Sequence, residues 1–150
     1  MADKQAAVTY LADGVFVAEM NGQHVFIDNG GGHGADGRAS YAAGPMDLML
    51  AAIAGCTAID VVDILKKARQ PFTKLTVHAS GERAADHPRR YTSVTLTYEV
   101  HGDVDPKVVD RAVHLSDEKY CSVSATFKLP CEVKTVVRIV ADDGGEGAAG

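Results

Sequence analysis

The sequence predicts an α+β fold with antiparallel sheets packed around a long central helix. Three observations predict it. Short β-prone runs near the start are separated by Asp13-Gly14 and Asn21-Gly22, the dipeptides that tight hairpins prefer. One long apolar run follows Gly44 and Pro45, and two later segments alternate apolar and polar residues before a second helical pattern. At 150 residues, with 46% hydrophobic and 23% charged residues, the chain has the size and composition of one globular domain. That domain is expected over 1–141, with the Gly- and acid-rich 142–150 as a disordered tail.

Residues Thr9–Ala12, Val15–Met20 and His24–Asp28 read as a three-stranded antiparallel meander. Asn29 to Ala43 is rich in Gly and Ala, has neither helical nor strand period, and reads as a loop approaching the helix. Pro45 suits a first helical position and Asp47 then falls in the first turn, so a helix is predicted from Pro45 to about Ala68. Its first half is apolar nearly all round, which requires burial on several sides. One sheet covers one face only, so a second copy of the chain is expected to supply the remaining cover.

After Gln70 and Pro71, residues Leu75–Ala79 and Val94–Val100 alternate as half-buried strands do, joined by a charged link from Ala84 to Arg90. Asp105 and Pro106 begin an amphipathic helix with Val108, Val109, Ala112 and Val113 on one face. Ser116 or Asp117 is expected to cap a further short turn holding Cys121. Cys131–Val140 is expected to close the chain as a strand, with Val133, Val137 and Ile139 on one face.

Several function classes are disfavoured. A formal net charge of −5 offers no broad footprint for nucleic-acid phosphates. The first residues lack the basic segment and apolar stretch of a secretory signal, so a cytoplasmic location is expected. The uncharged stretch Leu48–Ile59 spans about 18 Å as helix, short of a ~30 Å hydrocarbon core, so no membrane crossing is expected. Three cysteines make no disulfide framework, and without Cys-x-x-Cys or histidines at ligand spacing neither metal nor cofactor is expected. Gly30–Gly32 lacks the lysine of a phosphate loop.

The cysteines carry the chemical signal. Cys56 lies within the apolar helix, and Cys121 in Glu118-Lys119-Tyr120-Cys121-Ser122-Val123, where a lysine and helix-start amides favour thiolate. Cys56 sits too far beyond Pro45 for the helix dipole to activate it, so a neighbouring cation is required. Arg38 is the candidate, with Arg69, Arg83 and Arg111 as fallbacks; an exposed loop arginine is the competing reading. Taken alone, Cys56 reads as a small apolar core residue, and Cys131 as a core or strand-start residue. Asp47 can steer Arg38 or assist proton transfer, although a first-turn acid ordinarily serves the dipole and this one points away from Cys56. Asp60, one turn beyond Cys56, reads as a structural or inter-subunit anchor.

The Pro-led apolar helix ending in Gly55-Cys56, the continuation Thr57-Ala58-Ile59-Asp60-Val61-Val62-Asp63-Ile64-Leu65, and the context of Cys121 together resemble the OsmC/Ohr family, closest to its YhfA-like branch. The likeness covers nearly the whole chain. It implies an intertwined α+β homodimer with sites at the interface and an activity in oxidative stress defence: reduction of organic hydroperoxides without metal or flavin. By motif Cys56 is peroxidatic and Cys121 resolving, with Arg38 and Asp47 nearest to the family's arginine and first-turn carboxylate. An external dithiol of lipoyl or thioredoxin type is the implied reductant. The family's glutamate directly after the proline is Met46 here. That departure favours the alternative, a non-catalytic dimer of the same fold that binds a ligand or senses redox state.

Overall fold

The computed structural model describes residues 3–28 and 40–140. The meander is present as β1 (Ala7–Ala12), β2 (Val15–Met20) and β3 (Gln23–Asp28), antiparallel in the order β1-β2-β3. Both connections are two-residue turns with positive φ throughout, at Asp13 (51°) and Gly14 (78°) and at Asn21 (51°) and Gly22 (72°). Such turns match the right-handed twist of the flanking strands, and they fix registers such as Tyr10 with Phe16 and Val17 with Phe26. At the end of β3 the buried Asp28 accepts from the Tyr41 amide at 2.8 Å, and its own amide donates to Ala43 O at 3.2 Å. These bonds tie the meander to the segment that enters the helix.

Helix α1 spans Pro45–Lys67. Asp47 Oδ2 accepts from the Gly44 amide at 3.0 Å, occupying the start of the helix as a capping carboxylate. At the other end Gln70 N donates to Leu65 O and Arg69 N to Lys66 O, with Arg69 left-handed at φ 55°. This is a Schellman closure with arginine where glycine is usual, and Pro71 then prevents continuation. Strands β4 (Phe72–Arg83) and β5 (Tyr91–Gly102) form a long antiparallel pair, extending well beyond the alternating cores visible in the sequence.

Helix α2 (Pro106–Leu115) starts as expected, with Asp105 Oδ1 accepting from Lys107 N at 2.9 Å. Ile53, Thr57, Val61 and Leu65 are the buried stripe of α1. Val61, Leu65 and Ala112 are fully enclosed, with Phe72, Leu75, Tyr98 and Val109 packed around them, so α1 packs against both the β4–β5 pair and α2. By length and composition alone α1 could span a bilayer, whereas the shorter Leu48–Ile59 run suggests otherwise; its packing on β4 and α2 makes it the core helix of this fold.

The structure departs from the sequence reading at two places, the turn before Cys121 and the segment after α3. Ser116–Tyr120 is a single π-helical turn, closed by Cys121 N donating to Ser116 O at 2.8 Å, and it is Cys121 itself, rather than Ser116 or Asp117, that caps the next helix α3 (Ser122–Lys128). Ser116, one turn beyond the buried Ala112 and on the same helical face, is fully buried. Cys131–Val140 forms no strand, because no described edge pairs with it, and Val133, Val137 and Ile139 are 80% or more exposed. The upper part of α1 is not enclosed within one chain: Ala51, Ala52, Gly55 and Ile59 face outward. The expected tail and most of the loop before α1 lie outside the described residues.

Candidate functional site

The site is made where the middle of α1 meets the π turn. Cys56 and Asp60 are one turn apart on α1 and so share a face. Cys121 approaches that face from the end of the π turn. Cys56 Sγ, Cys121 Sγ and a carboxylate oxygen of Asp60 all lie within 4.8 Å of one another. The two thiols differ in access, since Cys56 is half-buried while Cys121 is 3% exposed.

Cys121 Sγ accepts from the Ser124 amide at 3.3 Å. Burial pushes its thiol above the usual range and contact with Cys56 pushes the same way, while the Ser124 and Val123 amides oppose them. Cys121 is therefore a protonated thiol at neutral pH, held against a more accessible partner.

A chain of hydroxyls supports Asp60 from behind. Ser116 Oγ donates to Asp60 Oδ2 at 2.8 Å, Thr57 Oγ1 lies 2.8 Å from Ser116 Oγ, and Tyr98 Oη lies 2.8 Å from Thr57 Oγ1. Each hydroxyl has one proton, and the carboxylate can only accept. The polarity is thereby fixed: Ser116 gives its proton to Asp60, so Thr57 donates to Ser116, and Tyr98 donates to Thr57. Burial, the largest influence, raises the phenol's pKa, and nearby Asp117, Cys121 and Asp60 act in the same sense, which keeps Tyr98 a donor. Thr57 and Ser116 are buried, so this chain is a fixed part of the core.

An apolar groove of about 510 Å³ opens beside the start of α3. Met46, Met49, Val123, Phe127 and Tyr91 line it, with Arg90 at its rim. Met49 lies two turns before Cys56, on nearly the same side of α1. Tyr91 is fixed there by its hydroxyl, which donates to Met46 O at 2.8 Å. A Cβ on Gly81 would clash with Cδ1 and Cε1 of the Tyr91 ring, so glycine at that position is what lets the ring lie on the strand.

Of the residues singled out in the sequence, Cys56 and Cys121 are brought together. Asp47 is not: it caps α1 some 13 Å along the axis from Cys56 and on the opposite side, so its expected part in proton transfer or in steering Arg38 gives way to a structural one. Arg38 lies outside the described residues. Among the fallbacks, Arg83 Nε donates to Arg89 O at 2.8 Å and Arg69 stands at the far end of α1. Among the described residues, the Asp60 carboxylate lies against the two sulfurs. Its i, i+4 spacing from Cys56 was visible in the sequence; the roles of Ser116, Thr57 and Tyr98 depend on the π turn and on strand register, which left no sequence signal.

The family model described as OsmC-like protein matches residues 34–136. The chain is 35% identical over 139 residues to Protein YhfA of Escherichia coli strain K12, covering 91% of this chain and 98% of that one. Among solved structures, a hypothetical protein from Aquifex aeolicus VF5 superposes with TM-score 0.74 at 30% identity, covering 85% of this chain and 89% of that one. An organic hydroperoxide resistance protein from Elizabethkingia anophelis shares the fold, with TM-score 0.62 at 16% identity, covering 84% and 89%.

Proposed function

The chain belongs to the OsmC-like family, and from that premise we propose that it is a cytoplasmic thiol peroxidase for organic hydroperoxides. The observation that carries the reading is the pairing of a half-buried Cys56 with a buried, protonated Cys121 within 4.8 Å. The fold shared with an organic hydroperoxide resistance protein supports the same class of activity.

The reaction runs in three steps. Cys56 thiolate attacks the distal peroxide oxygen, the O–O bond breaks, and the alkoxide leaves as alcohol after protonation, with Cys56 as sulfenic acid. Cys121 then attacks the Cys56 sulfur; the S–S bond forms, the S–O bond breaks, and hydroxide leaves as water. A thiol held above its usual pKa requires a base for this step. Asp60 fills that role, accepting the Cys121 proton and passing it to the departing hydroxide. An external dithiol of lipoyl or thioredoxin type returns both thiols by disulfide exchange. Arg38 supplies the cation that favours Cys56 thiolate. The groove beside α3 suits the apolar part of the hydroperoxide.

The acting unit is a homodimer. Ile59 on α1, Val8, Tyr10 and Phe26 on the meander, and Val133 to Val140 beyond α3 leave more apolar surface exposed than a lone chain of this size tolerates. A second copy covering these surfaces also offers the 131–140 segment a strand partner.

Purified reduced protein given cumene hydroperoxide and a dithiol tests the activity: repeated turnover lost in Cys56→Ser is expected, and no peroxide consumption overturns it. Met46, where the family carries glutamate, favours the second reading, a ligand-binding or redox-sensing dimer. Under that reading one peroxide equivalent gives either no disulfide or a single disulfide that the dithiol does not cycle.

A further inference from the structure

We propose that the reduced site binds a thiophilic divalent cation, Zn²⁺ foremost, through Cys56 Sγ, Cys121 Sγ and an Asp60 carboxylate oxygen. The proposal uses the same side chains as the peroxide chemistry but does not rest on it. Two ligands one turn apart on a helix, completed by a third from a different element, are an arrangement that grips a metal against a rigid surface.

The distances suit such an ion. Bonds of about 2.3 Å to sulfur and about 2.0–2.2 Å to carboxylate oxygen place tetrahedral ligand atoms roughly 3.4–3.8 Å apart. Three atoms already within 4.8 Å of one another reach that spacing by small side-chain rotations. The supporting bonds are also those a metal site needs. Ser116 holds Asp60 by Oδ2, so that among the described residues no hydrogen bond occupies Oδ1, and the Ser124 amide points at Cys121 Sγ, a donor that stabilises a coordinated thiolate. Two thiolates and a carboxylate packed this closely repel one another strongly unless a cation lies between them.

The donor set fixes the class of metal. Two sulfurs with one carboxylate select Zn²⁺, Co²⁺ or Cd²⁺ over Mg²⁺ or Ca²⁺, which require oxygen ligands. Three protein ligands leave a fourth position for water on the half-buried Cys56 side. Binding replaces the two thiol protons, releasing them to solvent, and changes no oxidation state. A Cys56–Cys121 disulfide removes both thiolates, so metal and disulfide exclude one another.

Reduced, chelator-treated full-length protein titrated with Co²⁺ alone tests this. The expected result is one equivalent per chain with a sulfur-to-cobalt charge-transfer band, displaced by one equivalent of Zn²⁺. The band is lost in Cys56→Ser and in Cys121→Ser, at least tenfold weaker in affinity in Asp60→Ala, and unchanged in Cys131→Ser. Alkylation of the wild type followed by mass spectrometry guards against misfolded variants: Zn²⁺ protects residues 56 and 121 but not Cys131. No stoichiometric band, a band that survives loss of Cys121, or the absence of protection overturns the proposal. None of these outcomes depends on whether peroxide is turned over.

Discussion

Ser116→Ala tests the polarity of the buried hydroxyl chain. The substitution preserves shape, so its effect is the loss of hydrogen bonds alone. Ser116 is fully buried and stands in the middle, donating to Asp60 and accepting from Thr57. Removing it deletes a bond to a carboxylate, about 1.5–3 kcal/mol, and strands the buried Thr57 hydroxyl at a cost of about 1–3 kcal/mol. Because the two terms overlap in one network, roughly 2–4 kcal/mol is expected in total. For a chain of this length that lowers Tm by roughly 4–16 °C, at about 2–4 °C per kcal/mol. Tyr98→Phe removes only the outer donor, at a half-buried position, and costs about 0.5–1.5 kcal/mol. Urea and thermal unfolding at one fixed protein concentration measure both, since stability of an associating protein depends on concentration. A Ser116→Ala loss smaller than that of Tyr98→Phe refutes the fixed polarity.

The other predictions concern single groups. Metal-free Asp60→Asn should form Cys56 sulfenic acid at the wild-type rate and close the disulfide about 10²-fold or more slowly, as read by dimedone trapping against disulfide yield; equal closure rates refute the general-base role. Cys121 has a raised pKa, so its contribution to stability is complete below the unfolded thiol value and is lost as pH rises through the folded one. Urea midpoints of reduced protein should therefore fall as pH rises above the ordinary thiol range, with a shallower fall in Cys121→Ser. Asp117 is lowered by Lys128 at 2.7 Å and by Ser124, so its contribution is present above the ordinary carboxylate range and lost as pH falls below it. Because that pair is half exposed, Asp117→Asn should cost under about 1 kcal/mol at pH 7 and progressively less as pH falls below the ordinary carboxylate range. Gly81→Ala pushes on the Tyr91 ring and should cost about 1–3 kcal/mol while weakening binding of an apolar dye in the groove.

Local signals in the sequence carried most of the fold. Asp13-Gly14 and Asn21-Gly22 specify turns with positive φ, Pro45 and Pro71 bracket α1, and Asp105 caps α2; each acts within a few residues, so each is readable without knowing the rest. The 131–140 segment fails for the opposite reason: its alternation encodes a preference for a sheet, but a strand exists only where an edge receives it. The π turn was equally hidden, because the inserted residue is set by how Ser116 and Cys121 meet α1 and not by local propensity. At the site, residue type identified Cys56 and Cys121. Asp47 takes the capping role that a first-turn acid ordinarily has. Asp60 meets Cys121, 61 residues away, and the hydroxyl chain behind it, and neither neighbour is announced by a local pattern.

The central claim is that Cys56 and Cys121 of one chain are poised to join. One equivalent of organic hydroperoxide added to an equal mixture of isotopically heavy and light reduced protein, followed by non-reducing proteolysis and mass spectrometry, tests it most directly. Linked peptides containing residues 56 and 121 should be all-heavy or all-light and lighter by two hydrogens, with Cys131 left free. Mixed heavy–light linkage, linkage through Cys131, or two free thiols after peroxide is consumed would contradict it.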